Sequence, residues 1–271
     1  MMKNLNYSGP GAETVVSGGV PALNRVPRVT VDFWLIKLMA VTVGETAADF
    51  LALNMGIGLQ TTTLIMMAVL VVALSLQFSR KRYVPWTYWL AVVLVSVVGT
   101  LITDNLVDTF DVPLLTTTLG CSILLAATFA AWFASEKTLS IHTIVTTRRE
   151  IFYWLAILFT FALGTAVGDY LAETLGLGYL ATGLVFLAII AAIAVAHLVF
   201  KADAILTFWL AYILTRPLGA SFGDLLSQPI DYGGLGLGTI VTSVIFLTVI
   251  AALVAYMTLA ARKRDARAIS A

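Results

Sequence analysis

The chain alternates long apolar stretches with short polar ones, and eight of the apolar stretches are long enough to cross a bilayer. A membrane-spanning helix needs about 20 residues. The stretches cover residues 33–53, 61–79, 86–107, 113–134, 151–173, 179–200, 204–226 and 238–260. Of the 271 residues, 60% are hydrophobic and 11% are charged. Soluble domains carry about 25% charged residues, so we predict an all-α integral membrane protein with eight transmembrane helices.

Positive charges lie on alternate links between these stretches. Lysine and arginine follow the even-numbered stretches and occur in the N-terminal tail, whereas the other four links contain neither. Two of those four links carry Asp111 and Asp231 instead. Cytoplasmic loops of membrane proteins are enriched in lysine and arginine. We therefore predict that both termini are cytoplasmic.

The polar ends of the chain are expected to flank a single membrane domain. Residues 1–28 contain no sustained apolar run and no cleavable signal-peptide pattern. They are predicted to form a disordered cytoplasmic tail. Residues 29–261 form the predicted eight-helix domain, and residues 262–271 form a basic cytoplasmic tail.

Four internal repeats organise the membrane domain. In each repeat an aromatic-Trp-Leu triplet is followed by a glycine ten residues after the Trp and by an aspartate five residues after the glycine. The glycines are Gly44, Gly99, Gly164 and Gly219, and the aspartates are Asp49, Asp104, Asp169 and Asp224. The repeats span approximately 29–83, 84–148, 149–203 and 204–261. Each contains two helices, so the repeats are expected to be parallel, with the pseudo-symmetry axis along the membrane normal.

The triplets and the glycines have structural interpretations. The triplets are typical of an aromatic belt at the membrane interface. Each glycine is followed four residues later by a small residue, as in Gly44 and Ala48. Such pairs let helix backbones approach closely. We expect the four glycines to mediate helix packing, with the odd-numbered helices around a central axis.

The aspartates lie deep in the predicted membrane. Asp49 is fifteen residues beyond Trp34, or about 22 Å along a helix. A carboxylate at that depth is rarely kept without a partner or a water-filled cavity. Each aspartate could brace its own hairpin by accepting hydrogen bonds from the threonines of its repeat. Alternatively, the four line a shared ion path, which is the interpretation we favour.

Neighbouring positions make the predicted lining asymmetric. Glu45 lies one helical turn deeper than Asp49, and its counterparts in the next two repeats are Thr100 and Thr165. One turn outward, the second and third repeats carry Asp108 and Glu173. Such an all-oxygen lining suits Mn²⁺, Mg²⁺ or Ca²⁺. The predicted metal ligands are Asp49, Asp104, Asp169, Asp224 and Glu45. Proton coupling or support of the site is assigned to Glu173, Asp108, Thr100, Thr165 and Arg216.

Two cations also fall within the apolar stretches. Lys37 is three residues from Trp34, so its long side chain is expected to reach back to the cytoplasmic interface. Arg216, which precedes Pro217, is harder to place at an interface. It would either pair with Glu45 and compensate charge in an empty site, or bind an anionic substrate.

The repeated motif resembles a family of bacterial multi-pass proteins described only as membrane-anchored proteins. The motif reads Gly-Glu-Thr-x-x-Asp at 44–49, Gly-Thr-x-x-x-Asp at 99–104, Gly-Thr-x-x-Gly-Asp at 164–169 and Gly-x-Ser-x-Gly-Asp at 219–224. The resemblance implies a fold and a bacterial inner-membrane location. A looser similarity links Gly168-Asp169 and Gly223-Asp224 to the calcium and manganese cation/proton exchangers. The preceding Glu and the following basic residue of their motif are missing here.

The leading hypothesis is a transporter of a hard divalent cation, with manganese as first choice, and it includes coupling of transport to protons. Acids near the outer ends of the helices, namely Asp108, Asp111, Glu173 and Asp231, would concentrate cations there. A passive channel, a non-transporting membrane scaffold and a small-organic-solute transporter are the competing hypotheses. No enzyme activity, catalytic residue, tightly bound cofactor or nucleic-acid partner is expected, because no nucleophile–base pair appears. The predicted partners are the bilayer, the cation and protons.

Overall fold

The computed structural model describes residues 24–269, except for the side chains of Leu53 and of residues 261–269, and its regular structure is helical. This part of the chain contains eight α-helices, namely α1 Val31–Asp49, α2 Leu59–Phe78, α3 Pro85–Asp104, α4 Leu114–Glu136, α5 Thr147–Asp169, α6 Gly178–Leu198, α7 Ala204–Ser227 and α8 Thr239–Ile269. Helices α1, α3 and α5 continue directly into π-helical turns at Phe50–Asn54, Asn105–Thr109 and Tyr170–Thr174. Each apolar stretch predicted from the sequence overlaps one of these helices, and the first, third and fifth stretches extend into the π-turn that follows.

Among the described residues, seven helices, α2 to α8, are long and apolar enough to cross a membrane, which indicates a multi-pass membrane protein. The exception is α1, because Asp32, Lys37, Glu45 and Asp49 lie along it. The most apolar windows of α2, α4, α6 and α8 are 17% buried within the protein, against 56–67% for α3, α5 and α7. The even-numbered helices therefore form the outer layer.

The odd-numbered helices form a closed inner ring. Helix α1 packs on α3, α3 on α5, α5 on α7, and α7 on α1. Each outer helix packs mainly on the inner helix of the next repeat: α2 on α3, α4 on α5, α6 on α7, and α8 on α1. Each repeat is thus held by its neighbour, and the contact of α8 with α1 links the fourth repeat to the first.

Glycines set the spacing of this ring. An added Cβ would collide with the Ser96 side chain at Gly44, and would lie 2.6 Å from Phe161 Cβ at Gly99, 2.5 Å from Arg216 Cβ at Gly164 and 2.8 Å from Val41 Cβ at Gly219. Each contacted residue precedes the glycine of its own repeat by three positions. The same contact therefore recurs four times around the ring, and a larger residue at any of the glycines would collide with the neighbouring helix.

The aromatic triplets also point into the ring, so the predicted interfacial belt is wrong. The first ring of each triplet contacts the Trp of the next repeat, with centroid distances of 5.7 Å for Phe33–Trp89, 5.6 Å for Tyr88–Trp154, 6.2 Å for Tyr153–Trp209 and 5.7 Å for Phe208–Trp34. Only the leucines of the triplets are exposed, by 39–51%. Successive helical residues point about 100° apart, so two rings face neighbouring helices while the leucine faces outward. We call this the aromatic end of the ring.

Lys37 does not reach the interface as predicted. Its side chain is fully buried, and Nζ donates hydrogen bonds of 2.7 Å to the Tyr212 carbonyl and to Thr215 Oγ1. The ammonium also lies 3.9 Å from the centre of the Tyr212 ring. The packed aromatic end blocks the route to the surface, and acceptors on α7 replace the water that the ammonium would otherwise contact.

Part of the predicted N-terminal tail is ordered. Asn24 and Arg25 form backbone hydrogen bonds with Tyr83 and Ile144, both 2.9 Å long. Arg25 Nη1 lies 2.7 Å from Oε2 of the fully buried Glu150. The prediction of disorder is therefore wrong for residues 24–28, because Arg25 neutralises a buried carboxylate, while residues 1–23 lie outside the described part of the chain. At the other end, α8 extends as a helix through Ile269.

We predict that Gly99→Ala lowers the stability of the protein by about 1–3 kcal/mol, because the new methyl group overpacks the contact with Phe161. The measurement is thermal unfolding of the purified protein in detergent. Gly120→Ala is the matched control, because a Cβ on Gly120 of α4 would meet no atom within 4 Å. If both variants unfold at the wild-type temperature, close packing at the glycines does not hold the ring together.

Candidate functional site

A cavity of about 150 Å³ lies at the end of the inner ring opposite the aromatic end. Seven carboxyl side chains line it, and they come from four helices and two π-turns: Glu45, Asp49, Asp104, Asp108, Asp169, Glu173 and Asp224. The structure therefore brings all four repeated aspartates and the three predicted neighbouring acids to one place. Asp108 and Glu173 are exposed, so the cavity communicates with the surface. We call this the acidic cavity.

Three carboxylates form the tightest group in the acidic cavity. One oxygen each from Glu45, Asp169 and Asp224 lie within 4.8 Å of one another. Two oxygens that share one divalent ion at about 2.3 Å are at most about 4.6 Å apart. A small inward movement would therefore let the three acids bind one ion. Glu45 and Asp224 are only 6% and 7% exposed.

The hydrogen bonds expected from hairpin bracing are not made. Within residues 24–269, no hydrogen bond reaches the side chains of the four repeated aspartates. The threonine hydroxyls at equivalent positions of α2, α4 and α6, on Thr62, Thr117 and Thr182, are buried and have no hydrogen-bond partner in the described part of the chain. The aspartates are therefore left facing the cavity and each other.

An ion pair closes the inner end of the acidic cavity. Arg216 Nη2 lies 2.9 Å from Glu45 Oε2, and Arg216 is fully buried. The same Nη2 donates to Thr165 Oγ1 at 2.6 Å and to Thr100 Oγ1. Thr100 in turn donates to Glu45 Oε2 at 3.3 Å. The charge-compensating pair considered in the sequence is thus present, and two predicted supporting threonines hold it.

Further packed groups separate this pair from the aromatic end. The Phe161 ring centre is 5.5 Å from Arg216 Cζ and 5.9 Å from Lys37 Nζ. Beyond them, the hydroxyls of Tyr88 and Tyr153 are hydrogen-bonded at 2.6 Å, and both residues are fully buried. The inner ring is therefore closed on this side of the acidic cavity.

Local geometry sets the positions of the aspartates. Asp49, Asp104 and Asp169 are the last α-helical residues before the three π-turns. In the fourth repeat, α7 continues as an α-helix past Asp224 to Ser227. Widened π-turns are frequent at functional sites. No residue type in the sequence indicates these π-turns, so the sequence did not predict them. Tyr179 was also not predicted as a site residue, although it lines the cavity and donates a hydrogen bond of 3.4 Å to Glu173.

The remaining outer acids do not line the acidic cavity. Asp111 has a positive φ of 52° and occupies the turn position that Gly56 and Gly176 occupy in the first and third repeats. Asp tolerates this conformation better than most non-glycine residues, so the turn accounts for its position. Asp231 lies in the short 3₁₀ segment Ile230–Tyr232.

One family model matches the chain, and it matches four times. The model is Repeat of Unknown Function (DUF347), and the matches cover residues 33–83, 87–138, 152–203 and 207–263. The chain belongs to the DUF347 repeat family. This confirms the fourfold internal repetition and the resemblance to a repeated membrane-protein family. No curated protein and no solved structure matches the chain, and the similarity to cation/proton exchangers finds no support.

The charges at the centre of this DUF347 protein break the symmetry of its repeats. The residue after each repeated glycine is Glu45, Thr100, Thr165 or Ala220. The residue three positions before each glycine is Val41, Ser96, Phe161 or Arg216. One repeat thus supplies the acid and another supplies the base. The ion pair is therefore specific to these two positions and is not part of the repeated motif.

We predict that Glu45→Gln destabilises the protein by about 3–5 kcal/mol, because it leaves the buried Arg216 without its carboxylate partner. The double variant Glu45→Gln/Arg216→Gln should recover much of this loss, since both charges are removed together. Thermal unfolding in detergent, without divalent ions, measures both effects.

Glu136→Gln is the control for this prediction. It also removes one carboxylate of an ion pair, with Arg149 at 2.7 Å, but this pair is accessible to solvent. Its effect should be much smaller, because solvent screens exposed pairs. A double variant as unstable as the Glu45→Gln single variant would contradict the assignment of the buried pair.

Proposed function

We propose that this DUF347 protein is a membrane transporter of a hard divalent cation, with Mn²⁺ as first choice and Mg²⁺ or Ca²⁺ as second choices. The observation that carries the proposal is the convergence of seven carboxyl side chains on one cavity. Oxygen ligands alone favour hard cations. Asp224 adds independent support, because it is nine-tenths buried, lines the cavity and has no hydrogen-bond partner among the described residues. A buried carboxylate of this kind requires a compensating cation or proton.

The proposal includes eight transmembrane helices in four parallel repeats, with the acidic cavity facing outward. The aromatic residues meet at one end of the inner ring and the aspartates at the other, which supports a common direction for the inner helices. The links rich in lysine and arginine adjoin the aromatic end, which favours a cytoplasmic position for that end and for both termini. Helix α1 can span despite its charges, because Lys37 and Glu45 face the protein and not lipid.

The packing beneath the acidic cavity favours a transporter over a passive channel. A cation that passed straight through the ring would meet the buried positive groups of Arg216 and Lys37 and then the hydrogen-bonded Tyr88 and Tyr153. Passage would therefore require a second conformation. Proton coupling remains a prediction, as does the absence of enzyme activity and of a tightly bound cofactor.

The same geometry weighs against an organic-solute transporter and against a membrane scaffold. The lining carboxylates repel an anionic solute, and Arg216 is already paired with Glu45. The cavity of about 150 Å³ is smaller than the pockets of about 300–1,000 Å³ that hold drug-sized organic ligands, which suits a metal ion better than a larger organic solute. The scaffold hypothesis needs braced hairpins, and the buried hydroxyls of Thr62, Thr117 and Thr182, which have no hydrogen-bond partner among the residues that the structure describes, do not support it.

We predict that purified protein in liposomes carries Mn²⁺ and that Asp49→Asn and Asp104→Asn each reduce the flux about tenfold. Each change removes one carboxylate that lines the acidic cavity, and an interaction with a charged group is worth about 1.5–3 kcal/mol. The assay uses a panel of Mn²⁺, Mg²⁺ and Ca²⁺, with and without a pH gradient. A response to the gradient would indicate coupling to protons.

Asp32→Asn is the matched control for the transport assay, because it makes the same chemical change in the exposed first turn of α1, away from the acidic cavity. It should leave flux unchanged. If Asp49→Asn and Asp104→Asn transport normally but unfold more easily, the aspartates are structural and the scaffold hypothesis is preferred. If the wild-type protein carries no ion of the panel, the transport proposal is wrong.

A further inference from the structure

We infer that Arg216 is a tethered cation that competes with the transported ion for Glu45, and that Thr100 and Thr165 hold it in the competing position. The inference rests on the proposed cation site and adds a means of control to it. The ion would bind only as the guanidinium leaves Glu45, so occupancy of the site and the position of Arg216 would be linked.

Glu45 is shared between the two cationic partners. Its Oε2 lies 2.9 Å from Arg216 Nη2. The same carboxylate belongs to the group of three acids whose oxygens lie within 4.8 Å of one another. A divalent ion at that group and a guanidinium on Glu45 would be close positive charges in a buried site, where repulsion is strong. The two states therefore exclude each other.

The two threonines are placed to bind the guanidinium and not the ion. Both hydroxyl oxygens accept hydrogen bonds from Arg216 Nη2. Both residues are fully buried, and neither lines the acidic cavity. The two threonines stabilise the ion pair between Arg216 and Glu45. They therefore lower the affinity of the site for the ion, whereas a ligand would raise it.

The docking of Arg216 is incomplete, which makes its displacement feasible. Its Nε and Nη1 are buried and have no hydrogen-bond partner among the described residues. A guanidinium with five donor hydrogens thus uses only one of its nitrogens here. The unused donors can bind other acceptors once the ion takes Glu45.

Displacement of Arg216 would also affect the packing of the helices. Arg216 is followed by Pro217, whose Cδ would lie 3.0 Å from a Cβ on Gly164 and whose Cβ would lie 3.6 Å from one on Gly168. The Arg216–Pro217 segment of α7 therefore packs directly against α5. A movement of the guanidinium would therefore change the contact between α7 and α5. This contact lies on the closed side of the acidic cavity, towards the aromatic end.

The decisive experiment measures Mn²⁺ affinity by isothermal titration calorimetry on the purified full-length protein in detergent. Thr165→Val keeps the side-chain shape but removes an acceptor of Arg216, which weakens the competing state. We expect Mn²⁺ affinity to rise about tenfold, the usual consequence of losing one hydrogen bond to a charged group. If Thr165 were a ligand of the ion or a support of its site, affinity would fall instead.

Thr160→Val is the matched control. Thr160 lies on the same helix, is fully buried, and its hydroxyl has no partner among the described residues. The substitution should leave Mn²⁺ affinity unchanged. A rise equal to that of Thr165→Val would show that a general loosening of α5, and not release of Arg216, is responsible.

Arg216→Ala provides a second variant with a chemical rescue. It removes the tethered cation, so Mn²⁺ affinity should rise by more than tenfold, and free guanidinium ion at millimolar concentration should lower it again. Wild-type affinity should respond less to guanidinium. Should Arg216→Ala fail to fold, Thr165→Val decides the question alone.

The two proposals fail in different ways. If the wild-type protein binds no Mn²⁺, the cation site itself is wrong. If the wild-type protein binds Mn²⁺ but Thr165→Val binds it equally or more weakly, the cation site stands and the competition by Arg216 is wrong.

Discussion

The close approach of the four inner helices is the constraint on which the rest of the structure depends. It exists because a glycine on each helix meets a side chain of the next helix at a distance that a Cβ would not permit. The residue after each glycine then lies near the centre of the ring, and the aspartates five positions on converge on one cavity. Packing and chemistry are therefore coupled, since a wider ring would separate the carboxylates.

The symmetric ring carries an asymmetric set of charges. Two like charges 4.8 Å apart repel by about 3 kcal/mol at an effective dielectric constant of about 20. The group formed by Glu45, Asp169 and Asp224 therefore needs a positive charge nearby. Arg216 supplies one from the inner side, although it contacts only Glu45 of the three. The remaining carboxylates are left to protons or to a cation from the acidic cavity, and this imbalance is the physical basis of the proposed transport.

Much of the fold and part of the candidate site could be predicted from the sequence. Hydrophobic length predicts the helices, and the repeated spacing of Gly44 and Asp49 identifies residues that the ring brings together. Helical periodicity places Glu45 on the same face as Asp49. These features depend only on local geometry, and four repetitions make them visible in one chain.

Other features depend on which surfaces meet, and the sequence pattern does not contain that information. The triplets resemble a lipid-facing belt until each ring is seen to pack on the Trp of the next repeat. Lys37 resembles an interfacial lysine until the aromatic end is seen to enclose it. Tertiary contacts also determine three other features. Each outer helix packs on the inner helix of the next repeat, π-turns follow Asp49, Asp104 and Asp169, and Glu150 orders Arg25.

Binding of a divalent cation in the acidic cavity is tested most directly by an anomalous difference map from crystals soaked in Mn²⁺. We expect a peak between the carboxylates of Glu45, Asp169 and Asp224, with Arg216 moved away from Glu45. A cavity without a peak, in crystals that bind Mn²⁺ only at surface acids such as Asp111, would contradict it.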